Sequence, residues 1–99
     1  MAVVSVAEKV TCRTPNGGAA TNIPAWKFDA CRAALLAELA ANEAVRAADL
    51  ITGATARLAA RDRDRLGSPG WHLTTTRLEL EVRGEIRRVP GAPVRLALP

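Results

Sequence analysis

Five arginines in the last thirty residues, Arg77, Arg83, Arg87, Arg88 and Arg95, form the clearest chemical pattern in the chain. A guanidinium presents a fork of N–H donors that matches phosphate oxygens. His72, Thr74 and Thr76 stand just upstream, near an expected helix start, and add donors of the same kind. Such a set would bind phosphate electrostatically, with steep salt dependence and little sequence preference. The same arginines could instead pair with Glu79, Glu81 and Glu85 and solvate a hairpin, and the residues alone leave both outcomes open.

Other chemistries find no constellation. There is no Ser-His-acid set, no cysteine with a histidine near it and no carboxylate pair in an apolar setting, so an enzyme is not expected. Cys12 and Cys31 lack neighbouring ligands and His72 lies too far along for a zinc spacing; no metal and no cofactor are expected. Both thiols read as small buried hydrophobes in a reducing cytoplasm. Asn16-Gly17-Gly18 lacks the residues that complete a phosphate loop and reads as a turn. Met1 to Val6 is apolar but short and without a basic leader, which argues against a signal peptide. No run approaches the ~20 apolar residues of a membrane span, and no small-molecule ligand is evident.

Ninety-nine residues suit one domain over 1–99, with 1–7 as a flexible or partner-contacting segment. The net charge of +4 is unevenly placed. Bases and acids balance up to Ala56; from Arg57 onward arginines outnumber Asp62, Asp64, Glu79, Glu81 and Glu85. A local excess of this kind attracts phosphate.

The elements that must hold these residues can be traced along the chain. Glu8 to Thr14 alternates as a short strand and ends in the Pro15–Gly18 turn, with a loop following to Asn22. Pro24 suits the first turn of a helix, with Asn22 near enough to cap it. Phe28, Cys31, Leu35 and Leu39 then mark one face of a helix over 24–41, which Leu36 widens. A second helix is expected within 44–60, with Leu50, Ile51, Ala54 and Leu58 inward and Gly53 admitting a close neighbour. Arg61-Asp62-Arg63-Asp64-Arg65 reads as a solvated helix end and loop. Ser68-Pro69 opens a third helix and Gly84 stops it, although the Leu78–Val82 alternation and three threonines favour a strand. Trp26, Phe28 and Trp71 are the expected aromatic anchors.

Leu80-Glu81-Val82-Arg83-Gly84-Glu85-Ile86-Arg87-Arg88 resembles the junction at which winged-helix proteins pass from recognition helix to wing. The stretch Lys27 to Leu36, Gly70-Trp71 and the residues from Leu78 to Gly84 are similar to a small bacterial family of unknown function with a winged-helix-like fold. The resemblance implies an α+β winged helix-turn-helix: three helices, a short N-terminal strand and a C-terminal β-hairpin wing. It implies a cytoplasmic DNA-binding protein, a small transcriptional regulator acting as a dimer.

A groove-reading helix should carry Arg, Lys, Asn or Gln on its outer face. At 100° per residue, Leu73, Thr76 and Leu80 face inward, and Trp71, Thr75, Leu78 and Val82 lie nearly opposite. That apolar stripe supports the alternative: a protein-interaction or dimerisation module on Trp71, Leu78 and Val82, with the stripe covered by a partner or second subunit, or else by the N-terminal strand together with the Met1–Val6 segment.

Overall fold

The computed structural model describes residues 8–99. The expectations for the segment before Ala7, as a flexible arm or as a cover for the apolar stripe, fall outside the described residues. The fold is mixed α+β, with four helices and two small antiparallel sheets.

The first sheet is a hairpin of β1 (Lys9–Cys12) and β2 (Thr21–Pro24), with Val10 opposite Ile23 and Cys12 opposite Thr21. Its turn is held by Gly17 N–H on the Thr14 carbonyl at 3.0 Å, with Gly17 at φ 77°, where a side chain would be strained. The segment expected as a loop up to Asn22 thus becomes a strand at its end. Ile23 and Cys12 are buried together, but one inward residue in four is too short a period to be seen in sequence. Asn22 does not cap the next helix; its Oδ1 accepts from the Thr11 hydroxyl across the hairpin at 2.7 Å.

Helix α1 (Ala25–Ala40) starts one residue after Pro24, which takes the cap position in extended geometry. Phe28, Cys31, Leu35 and Leu39 are all buried on one face, with Ala34 beside them. Strand β3 (Val45–Arg46) follows, then α2 (Ala47–Arg57), whose Leu50 and Ala54 are fully buried. Gly53 does admit a close neighbour: a Cβ there would lie 2.3 Å from Glu38 Oε2 of α1. That carboxylate is itself held by Arg57 Nε at 2.7 Å and by the Asn42 amide.

The charge run, expected as a helix end and loop, forms a helix of its own, α3 (Ala60–Leu66), so the described residues hold four helices rather than three. Leu58 and Ala59 are extended and break it from α2. Asp62 near its start and Arg63 and Arg65 near its end complement the helix dipole, and Leu66 is its one buried residue. Arg65 stacks 4.4 Å above the half-buried Trp26 ring.

Helix α4 (Pro69–Arg83) settles the competition between strand and helix in favour of helix. Gly84 adopts φ 78° as the left-handed stop, and the Leu80 carbonyl accepts from Glu85 N–H at 2.9 Å. Ser68 caps with no side-chain bond; its carbonyl takes His72 N–H at 3.1 Å. Leu73, Thr76 and Leu80 are fully buried against α1 and α2, as their spacing requires. Trp71 is not the anchor expected of it: it lies away from that face and is 48% exposed.

The chain ends in a hairpin of β4 (Arg87–Val89) and β5 (Arg95–Ala97). β5 also pairs with β3, giving a three-stranded sheet in the order β3-β5-β4, and Leu96 and Ile86 bury the hairpin's base in the core.

Candidate functional site

The carboxylates of α4 organise most of the basic residues around them. Glu79 projects one residue before Leu80 and is buried, in a position where an unpaired charge would be costly. Its Oε1 accepts from the Arg13 backbone N–H at 2.8 Å and Nε at 3.0 Å; its Oε2 accepts from Arg13 at 2.7 Å and from Arg83 Nε at 2.8 Å. Hydrogen bonds from Arg13 pull the Glu79 carboxyl from its ordinary 4.5 down to about 2, against the upward push of desolvation, with Arg83 assisting. The first sheet is thereby fastened to α4.

Glu81, two residues on and on another side of the helix, has a similar pair of arginines. Arg77 reaches its Oε2 at 2.7 Å and Arg88 of β4 reaches its Oε1 at 2.6 Å, tying the final hairpin to the same helix. Glu85 takes Arg32 Nε at 2.8 Å. Arg83 also lies over the Phe28 ring, 4.7 Å from its centre.

These contacts sort the residues expected at the site. Arg77 and Arg88 are brought together on Glu81, while Arg83 is held with Arg13 on Glu79. Arg77 is only 12% exposed. Thr76 is fully buried beside the Cys31 thiol and is withdrawn from any contact with an external phosphate, because its spacing puts it on the packing face of α4. Thr74 remains half-exposed. His72 Nδ1 lies 2.8 Å from the Ser68 carbonyl, and its ring meets Trp71 edge-on at 4.9 Å. Arg87 and Arg95 are exposed, without an ion pair among the described residues.

The outer stripe is only partly open. Leu78 and Val82 are half-buried, and Leu78 forms the floor of a shallow cavity of about 460 Å³ with Thr14, Pro15, Asn16 and Arg88. The turn of the first hairpin therefore stands beside the face that a groove-reading helix would have to present. The sequence expectation that the N-terminal strand covers part of the stripe agrees with this placement: β1 packs against α4, and the turn after it lines the same cavity as Leu78. Sequence reasoning missed Arg46, which only the pairing of β3 with β5 brings beside Arg95.

The two thiols are inert in this setting. Both are buried and free, and desolvation pushes Cys31 up to about 11 and Cys12 in the same direction. Among the described residues no group of three or more His, Cys, Asp or Glu could hold a metal ion, and no helix is long and apolar enough to cross a membrane.

A family of unknown function, DUF6958, matches residues 9–96, from the first strand to the last. The chain belongs to DUF6958. The match takes in both hairpins, all four helices and every arginine–glutamate contact described above. No curated protein and no solved structure matches the DUF6958 chain.

Proposed function

We propose that this chain is a winged-helix protein that binds nucleic acid through its phosphates, without reading bases along α4. The observation that carries the reading is the sharing of glutamates. Glu79 lies between Arg13 and Arg83, and Glu81 between Arg77 and Arg88, so each group keeps a net positive charge. Arg13, Arg83 and Arg88 remain 37–56% exposed, so their guanidiniums are oriented and still accessible to water. Preorganised guanidiniums with spare donors suit phosphodiester oxygens.

The winged reading is supported by topology as well as by the junction motif. The final hairpin follows the last core helix and pairs back onto the strand between α1 and α2. Low base selectivity is supported by Leu78, Val82 and Glu81 occupying the outer part of α4, where groove readers carry Arg, Asn or Gln.

Fluorescence anisotropy with labelled duplex and single-stranded oligonucleotides tests the reading. Binding at low salt should weaken linearly on a log–log salt plot and vary little between unrelated sequences. Absence of binding to either form at low salt ends it.

A second reading is favoured by the exposure of Trp71 beside half-buried Leu78 and Val82: a protein or homodimer contact through that stripe. Analytical ultracentrifugation decides it. Leu78→Asp should dissolve a dimer while circular dichroism is unchanged, and a monomer at every concentration removes the homodimer.

A further inference from the structure

One face of the three-stranded sheet carries arginines that no carboxylate answers. Arg46 of β3 is the direct cross-strand partner of Arg95 on β5, and directly opposed residues project to the same side. On β4, Val89 is opposite Arg95 and Arg87 is opposite Ala97, which puts Arg87 on that side too. The other parity faces the core: Val45 and Leu96 belong to it and Arg88 pairs with Glu81, whereas Ala97, on the arginine side opposite Arg87, is buried but lies outside the core cluster. Arg46, Arg95 and Arg87 thus cross the outer face as a basic stripe, flanked by exposed Val94 and Leu98.

Three observations separate this stripe from ordinary surface charge. All ten side-chain carboxylates of the chain lie among the described residues, and none pairs with Arg46, Arg87 or Arg95. Like charges placed directly opposite in a sheet disfavour each other, so the Arg46–Arg95 pairing works against the sheet that creates it. Arg87 Nε is steadied by the Leu98 carbonyl at 3.2 Å, with its other donors left over. An oxyanion between the strands would relieve the repulsion and use those donors.

We infer that the outer face of the β3-β5-β4 sheet is a phosphate-binding surface, with Arg46, Arg95 and Arg87 contacting the backbone phosphates of a nucleic acid. The choice of nucleic acid as ligand rests on the function proposed above; the anion site itself rests on the sheet. Its location differs from the α4 face, so the two surfaces can be separated by substitution.

The experiment measures affinity and melting temperature on the same proteins: wild type, Arg46→Ala/Arg87→Ala/Arg95→Ala, Arg46→Glu, and the α4 controls Trp71→Ala and Thr75→Ala. The triple variant should lose at least about 10-fold in affinity at low salt, with a shallower salt slope, while the α4 controls stay near wild type. Arg46→Glu should also lose affinity and yet melt at higher temperature at low salt, since it turns a repulsive pair into an attractive one. Wild-type affinity in the triple variant, or loss confined to the α4 controls, overturns the sheet assignment and leaves the nucleic-acid reading standing. If the wild type binds no nucleic acid, that reading fails and inorganic polyphosphate judges the sheet. A rise in melting temperature for wild type but not the triple variant keeps the phosphate site, and an equal response removes it.

Discussion

The arginines of α4 and those of the terminal sheet are the same residue type within a few positions of each other, yet they are held in opposite ways. Around α4, Arg13, Arg77, Arg83 and Arg88 converge on two glutamates that are almost wholly withdrawn from water. On the sheet, Arg46, Arg87 and Arg95 are exposed and make no ion pair among the described residues. The first group is part of the framework: it fastens the first and the final hairpin to one helix. The second group adds only the Arg87 bond to the Leu98 carbonyl, and its Arg46–Arg95 pairing works slightly against the sheet. Formal charge is therefore a poor guide to how an arginine is held; the geometry of its partners decides.

Substitutions should separate the two groups by the size of their effect on stability. Phe28→Ala should show the largest loss, about 3–5 kcal/mol in denaturant unfolding, because a fully buried ring is removed from the core and from beneath Arg83. Glu79→Ala comes next, at about 2–4 kcal/mol, since it leaves the Arg13 backbone N–H and the Arg83 guanidinium facing a site built for a carboxylate. A measured loss below ~1 kcal/mol would make Glu79 an ordinary surface acid and remove the contrast.

Acid titration sharpens the same point. The Glu79 carboxyl is lower in the folded chain, about 2, than its ordinary 4.5, so its stabilising effect is complete above roughly pH 4.5. That effect is lost progressively as pH falls toward 2. Glu79→Gln should therefore be less stable than wild type at neutral pH and show a flatter decline in unfolding midpoint across that window. Parallel declines in the two proteins would mean that other carboxylates govern acid unfolding. The smallest effect belongs to the sheet: Arg46→Glu should gain less than about 1 kcal/mol, and only at low salt, where screening is weak.

Particular residues show why part of this was readable in advance. The Phe28, Cys31, Leu35 and Leu39 spacing repeats over eleven positions, long enough to define a helical face without any tertiary information. Gly84 outweighed the period-two pattern of Leu78–Val82 because a left-handed stop needs glycine, whereas alternation over five residues is short. By contrast, β2 and β3 are too short to carry a pattern of their own. The alternating charges of α3 read as a helix end and loop, although alternation of Arg and Asp is compatible with a helix once Leu66 has a core to enter. Residue type alone points Trp71 to the core, whereas its position on α4 leaves it outside.

Local chemistry in the chain determined the long helices, the glycine-stopped junction, the final hairpin and the surplus of positive charge in the second half. Those depend on neighbours within a turn or two, which a sequence displays directly. Tertiary structure alone decided which arginines are tied and which are free. Glu79 meets Arg13 across sixty-six positions, and Arg46 meets Arg95 only because β3 docks on β5. Contacts over such separations follow from how the elements pack, so no periodicity or spacing in the chain announces them.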